Sequence, residues 1–452
     1  MATPLTAEHR SWRTRIFLTT WLAYVGFYFC RTPFSATKAD IGKEAGWGAT
    51  TLGDIEAVYL ISYAIGQFLA SGMGTKLGPR KNVLIGMCAS IAVTLTMGIS
   101  LTVPMLMGLV AVNGLAQATG WSGNVGTMAN WFHKHERGRV MGVWSTNFTV
   151  GSLASSWTMA GVLYLAALYG GDWRWCFYVG AFVLIIVTAQ FYFVQRNRPE
   201  DVGLSPVDDP VTPVDESMMP EPVAGGPLPA ARIVRDATLT DRIRVKVDAL
   251  GLSRDAWTNL FLVGGFYFFA KLIRYAIWGW AAYFLVKNYH LTSSESNLAS
   301  TAFGLLGLPG VYVTGYLSDK YFGSRRAGIS AIMMVGMMVA TGLLIVFSDS
   351  GVAVFIVLLG AVGFTLFGPD ALLTGAGASD IGGRKAATFA AGFISGRGSL
   401  GPIVQAFVIG RLYDAKGGNL TPVFILLFSS AALATLFCGI LVLRNRRGGK
   451  GI

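Results

Sequence analysis

Two arginines stand inside stretches of sequence that are otherwise apolar. Arg31 closes the run Tyr24-Val25-Gly26-Phe27-Tyr28-Phe29-Cys30-Arg31, with Tyr24 and Tyr28 seven and three residues before it on one helical face. Arg274 follows 243 residues later, and Tyr267 and Lys271 stand at that same separation from Tyr24 and Tyr28. An arginine within hydrocarbon costs about 2.5–3.5 kcal/mol on insertion scales, so it faces a cavity, finds a partner or reaches back to the interface. Reaching the interface would serve Arg31, with Pro33 just beyond it, but leaves the matched Arg274 unexplained. Two guanidiniums that share a cavity repel each other unless an anion lies between them. Phosphate suits that place, with about two negative charges and oxygens that match bidentate forks. Tyr24, Tyr28, Tyr63 and Tyr267 would add neutral hydrogen bonds. Lys271, one turn before Arg274, is either a third cation at the site or a stem packed on lipid.

The elements that must hold these residues are membrane helices. The chain has 452 residues, 53% hydrophobic and only 13% charged, where soluble domains carry roughly 25%. Twelve apolar runs reach the roughly 20 residues that a bilayer requires. They are 16–36, 53–75, 82–101, 104–131, 140–169, 174–195, 256–287, 297–318, 327–347, 351–377, 386–413 and 421–443. Between the sixth and seventh lies a polar stretch rich in proline, which reads as a linker, part disordered and part amphipathic helix near Ile243–Leu252. The expected organisation is an N-terminal six-helix half at 1–195, a cytoplasmic linker at 196–253, a C-terminal six-helix half at 254–443 and a basic cytoplasmic tail at 444–452.

The net charge of +12 does not gather into a nucleic-acid patch. Lysine and arginine fall in the gaps between apolar runs, 26 on the side of the termini and six on the other (Lys38, Lys43, Arg174, Lys287, Arg411, Lys416). That asymmetry places both termini in the cytoplasm. Cys30, Cys88, Cys176 and Cys438 are scattered, with neither a disulfide framework nor metal-ligand spacing. No nucleophile–base pair or metal cluster gathers in one region, so neither an enzyme nor a bound cofactor is expected.

The repeat extends beyond the arginines. Gly72-Met73-Gly74-Thr75-Lys76 through Arg80-Lys81 follows the second run, and Gly315-Tyr316-Leu317-Ser318-Asp319-Lys320 with Gly323-Ser324-Arg325-Arg326 follows the eighth, again offset by 243. Six runs, a linker and six runs, with these loops, resemble the major facilitator superfamily. The resemblance implies an all-α membrane protein of twelve transmembrane helices in two pseudo-symmetric six-helix halves, with its substrate between them.

Within that superfamily the chain resembles the organophosphate:phosphate antiporters, among them the glycerol-3-phosphate and hexose-phosphate transporters and the sugar-phosphate exchangers. The likeness covers nearly the whole chain outside the linker. It rests on Phe27-Tyr28-Phe29-Cys30-Arg31, Ser62-Tyr63-Ala64-Ile65-Gly66, Asn113 through Trp121, Trp131-Phe132 with Arg137-Gly138, Arg198-Pro199-Glu200-Asp201-Val202-Gly203 and Leu272-Ile273-Arg274-Tyr275. It implies that Arg31 and Arg274 clamp phosphate, with Tyr24, Tyr28 and Tyr63 as cavity tyrosines. Thr32, Gln67, Phe148, Phe367 and Lys271 depart from the glycerol-3-phosphate transporters, whereas 372–382 and 396–402 are closer to the eukaryotic sugar-phosphate exchangers.

Asp370 and Arg397 are two further charges within apolar runs. They read as an ion pair with each other, or as groups that contact sugar hydroxyls or switch partners as the halves alternate. Trp144, Asn147 and Asn124 are candidates for secondary contacts or for ordinary helix packing. The expected activity is exchange of an organic phosphate for inorganic phosphate by a monomer in a lipid bilayer, a bacterial inner membrane, through rocking of the two halves. Two other readings stay open: a membrane sensor of hexose phosphate, and a proton-coupled carrier of another organic anion with Asp370 or Glu56 titrating.

Overall fold

The computed structural model describes residues 6–99, 102–133, 136–207, 252–321, 326–377, 381, 390 and 392–447. Most of the expected linker, with its amphipathic helix up to residue 251, lies outside them, as do the end of the basic tail, residues 322–325 of the second signature loop, residues 378–380 and 382 of the segment 372–382, and residues 386–389 and 391 at the start of the eleventh run. Among the described residues all regular structure is helical. In hydrocarbon a helix satisfies its own backbone groups, and apolar runs of this length have no better conformation.

Twelve long helices follow the twelve runs: Ala7–Phe29, Ala49–Leu77, Pro79–Met97, Val103–Trp131, Asn147–Tyr169, Arg174–Val194, Arg254–Tyr289, Ala302–Tyr321, Arg326–Phe347, Val352–Ala371, Leu400–Ala415 and Thr421–Arg446. They are numbered here as spans one to twelve. Among the described residues eight segments are long and apolar enough to cross a membrane, the eighth span taken as Ser293–Ser318 across its break. Spans one, two, three and eleven miss that measure and carry charged residues such as Arg13, Glu56, Arg80 and Arg411.

Helix packing repeats between the halves. In the first half, span two packs along span four, span three along spans four and six, and span one along spans five and six. In the second half, span eight packs along span ten, span nine along spans ten and twelve, and span seven along spans eleven and twelve. Each pairing has its counterpart six spans later, which is the pseudo-symmetry the 243-residue repeat implies. The halves meet where span two packs on span eleven and span five on the segment Ser293–Ser300 that leads into span eight. Close approach there needs glycine: a Cβ on Gly53 would lie 2.4 Å from the Ala406 carbonyl oxygen, and one on Gly410 would lie 2.3 Å from that of Ala49.

Several expected runs are interrupted among the described residues. The fifth splits into Arg137–Trp144 and Asn147–Tyr169, and the eighth into Ser293–Ser300 and Ala302–Tyr321. The break in the first falls at Arg31, which caps a new short helix, Thr32–Ala36, rather than sitting within a continuous span. Pro33 lacks the N–H that would bond to the Phe29 carbonyl, and its ring crowds that turn. The chain tightens instead, with Cys30 N–H on Phe27 O (3.2 Å) and Arg31 N–H on Tyr28 O (3.0 Å). The helix axis passes very near span six at this point, where a Cβ on Gly180 would lie 2.1 Å from the Phe29 oxygen.

Candidate functional site

A cavity of about 150 Å³ lies between the halves. The first half supplies Tyr28, Arg31, Glu56, Tyr59 and Asn113, and the second supplies Tyr275, Trp278 and Phe367. One stripe of span five, Thr149, Ser152 and Ser156, faces it with hydroxyls, joined by Ser300 and Thr301 from the break before span eight.

The break in the first run delivers Arg31 to the cavity wall. Its Nε donates to Gln117 Oε1 at 3.0 Å. The guanidinium stands over three tyrosine rings, 4.9 Å from the centres of Tyr28 and Tyr63 and 5.6 Å from that of Tyr59. Among the described residues no carboxylate lies within ion-pair distance of it, and its two terminal nitrogens make no hydrogen bond. The result is a net cation on a wall of aromatic faces, with donors left over for an anion.

Arg274 is placed differently. It lies within the unbroken span seven, is buried, and is ion-paired through Nη1 with Asp370 Oδ2 of span ten. The guanidinium sits 5.4 Å from the ring centre of Trp278 and 5.7 Å from that of Tyr275, behind the two side chains that reach the cavity. This revises the expectation of two bare guanidiniums repelling across a cavity. Arg31 carries its charge uncompensated, whereas Asp370 neutralises Arg274.

Of the two sequence readings of Asp370 and Arg397, the ion pair with each other does not form in this structure. Asp370 is taken by Arg274, and Arg397 packs with its guanidinium 5.0 Å from the Phe261 ring centre and its stem against Gly264. Lys271 does not point to lipid: its Nζ donates to Ser399 Oγ at 3.2 Å and stands 4.8 Å from the Tyr267 ring centre. It joins spans seven and eleven beside the Arg274 pair.

The remaining expected residues lie away from the cavity wall. Tyr24 packs in an aromatic cluster, 5.3 Å from Trp121 and 6.1 Å from Trp144 between ring centres. Trp144 is fully buried, and its indole N–H donates to Thr20 Oγ1 at 3.1 Å, which makes it a packing residue in this structure. Asn147 is fully buried, and among the described residues its amide atoms have no hydrogen-bond partner. Sequence reasoning missed Tyr59 and Gln117. Tyr59 lies one turn before Tyr63 on span two, and Gln117 lies within the quoted segment Asn113 to Trp121, so spacing held the signal.

Polar bonds cross between the halves towards the end opposite the termini. Asp414 accepts from the backbone N–H groups of Ala49 (3.0 Å) and Thr50 (2.6 Å), and Arg411 pairs with Asp54 at 2.7 Å. Ser293 Oγ donates to Asp40 at 2.8 Å, Asn297 Nδ2 to the Ala36 carbonyl at 2.9 Å, and Ser294 Oγ to that of Ala160 at 2.8 Å. Lys38 and Glu56 lie in the same seam.

Comparison with known proteins agrees with this architecture. The family model for the Major Facilitator Superfamily matches residues 16–270 and 260–451. A protein of Chlamydia trachomatis described as a probable hexose phosphate transport protein is 25% identical, over 95% of this chain and 91% of its own length. A glucose-6-phosphate exchanger of Bos taurus is 27% identical, over 94% of this chain and 93% of its own. In fold, the chain is similar to a bacterial homolog of the human lysosomal transporter Spinster, solved inward-facing and unoccupied, with a TM-score of 0.67 at 14% identity over 95% of each chain.

Proposed function

The chain belongs to the Major Facilitator Superfamily, and from that premise we propose that it exchanges an organic phosphate for inorganic phosphate across a bacterial inner membrane. One observation carries the reading: Arg31 stands at the wall of a cavity between the halves, without a carboxylate and with its terminal nitrogens uncommitted among the described residues. A guanidinium in that position gives a planar fork for a phosphoryl group. The hydroxyls of Thr149, Ser152 and Ser156 across the cavity suit a hydroxyl-rich organic portion, as in a sugar phosphate. The relatives named as hexose phosphate and glucose-6-phosphate carriers support the same substrate class.

Both termini are cytoplasmic on the count of lysine and arginine. The seam that closes the halves is then external, and this conformation faces inward. A phosphoryl group taken up by Arg31 draws in Arg274 from the other half, and Asp370 is available to hold Arg274 whenever the anion leaves. Binding need favour the closed form by only a few kcal/mol to shift the population of states. The empty carrier lacks that stabilisation and returns poorly, which couples uptake of one phosphate to release of another.

Counterflow in proteoliposomes tests this. Vesicles loaded with inorganic phosphate should take up external hexose, triose or glycerol phosphate, and Arg31→Lys or Arg274→Lys, which keep charge but lose the fork, should abolish it. Near-normal exchange by either variant overturns the clamp. Uptake that follows a proton gradient and ignores internal phosphate would favour a proton-coupled carrier, and binding without counterflow a sensor.

A further inference from the structure

We infer that Gln117 is the positioning residue that aims the terminal nitrogens of Arg31 at the anion. The inference rests on the phosphate-exchange reading above and adds a residue to it. Gln117 on span four is 1% exposed. Its Oε1 accepts two hydrogen bonds at 3.0 Å, from Arg31 Nε and from the Tyr59 hydroxyl. Its Nε2 donates to Asn113 Oδ1 at 3.2 Å and to Ser90 Oγ at 3.4 Å. Asn113 is itself fixed: its Nδ2 donates at 3.0 Å to the Cys30 carbonyl, at the chain break.

These bonds determine which way the amide faces. Turned over, Gln117 would set an NH₂ group against the N–H of Arg31 and the donor atoms would clash. In the observed orientation one buried chain of amides runs from the backbone at Cys30 through Asn113 and Gln117 back to the side chain of Arg31. It uses the inner nitrogen of the guanidinium, so the outer edge of the fork remains for ligand. It also uses a neutral acceptor. Asp370 holds Arg274 by the outer edge and cancels its charge; Gln117 holds Arg31 by the inner edge and leaves its charge intact. The two halves thus present one committed and one uncommitted arginine, and the difference lies in the acceptor.

The test compares Gln117→Met and Gln117→Glu with wild type and Arg31→Lys in phosphate-loaded proteoliposomes. Gln117→Met removes the acceptor at similar volume. It should raise KM for inorganic phosphate and for glucose-6-phosphate together by about tenfold, as loss of a hydrogen bond to a charged group does, with a smaller change in maximal exchange. Gln117→Glu should be worse than Gln117→Met at neutral pH, because a carboxylate neutralises Arg31. It should then recover relative to wild type as pH falls and the carboxyl becomes a neutral acceptor. A purely structural role would shift the melting temperature in step with KM at each pH, whereas a positioning role moves KM with the melting temperature unchanged. Both variants within twofold of wild type in KM, while Arg31→Lys is inactive, overturn the inference and leave the exchange reading standing. Absence of phosphate counterflow in wild type overturns the exchange reading first.

Discussion

Lys38 and Glu56 form an ion pair in the seam between the two halves, the lysine buried and the glutamate at the edge of the cavity. Lys38 Nζ lies 2.5 Å from Glu56 Oε2 and also donates to the Gly279 carbonyl of span seven at 2.9 Å. The ammonium stands 4.0 Å from the ring centre of Trp280, and Gln405 Nε2 of span eleven reaches Glu56 Oε1 at 3.4 Å. The lysine is fully buried. A pair from one half is therefore satisfied by groups of the other, and separating the halves at this end would strip it of them.

Removing one partner of a buried pair leaves an uncompensated charge and costs about 3–5 kcal/mol. Here that cost falls on the conformation closed at the seam. On the proposed alternating-access mechanism, Lys38→Met should lower the melting temperature and populate the form open at the seam. The gain would be read as faster labelling of a cysteine placed at Ser294 by a membrane-impermeant maleimide. Lys38→Met/Glu56→Met, which removes both charges, should recover melting temperature relative to either single variant. Unchanged labelling in Lys38→Met would show that the pair does not control the seam.

The Arg274–Asp370 pair predicts a different response. Asp370→Asn leaves Arg274 buried with a neutral neighbour, so the protein without substrate should melt earlier. On the exchange mechanism inorganic phosphate can supply the missing negative charge. The rise in melting temperature at saturating phosphate should then be larger in Asp370→Asn than in wild type. An equal or smaller rise would mean that phosphate never replaces Asp370 at Arg274.

Much of this was legible because a bilayer imposes its length on the sequence. Twelve apolar runs and a 243-residue offset between the arginines and between the signature loops were enough for the number of spans and their repeat in two halves. What could not be read was rotation about each helix axis. Arg274 and Arg397 were both available to Asp370, and only the packing of span seven against span ten selects between them. Lys38 counted with the outer charges by its place between runs, whereas on the short helix Lys38–Ala45 it is buried in the seam. The break at Arg31 was written in Pro33, yet a continuous helix also fitted the apolar run. Gln117 lay in a recognisable segment, but its direction towards Arg31 required the neighbouring helices.

The close contact at the break yields a packing test. A methyl group on Gly180 would collide with the Phe29 carbonyl oxygen, a backbone atom that cannot turn aside. Gly180→Ala should therefore destabilise the protein by about 1–3 kcal/mol and reduce exchange by displacing Arg31. The measurement is a thermal melt beside counterflow. A variant with wild-type melting and exchange would show that spans one and six separate freely at this level.

An ion pair within the first half gives a pH dependence with a definite sign. Glu44 Oε1 lies 2.6 Å from Arg174 Nη2, and Glu44 Oε2 accepts from the Trp173 indole at 2.6 Å. The Arg174 hydrogen bond, followed by that of the indole, holds the Glu44 carboxyl below the usual glutamate range. A carboxyl depressed on folding stabilises the folded state above its unfolded pKa, about 4.3, and loses that contribution as pH falls through the lower folded value. The Glu44 side chain is 40% exposed, so solvent screening limits the pair to at most about 1 kcal/mol. Glu44→Gln should accordingly melt slightly below wild type at neutral pH. The gap should narrow in high salt and close once the pH drops well below the glutamate range. A gap that persists in acid would assign the stabilisation to the neutral hydrogen bonds of Trp173 and Arg174 rather than to charge.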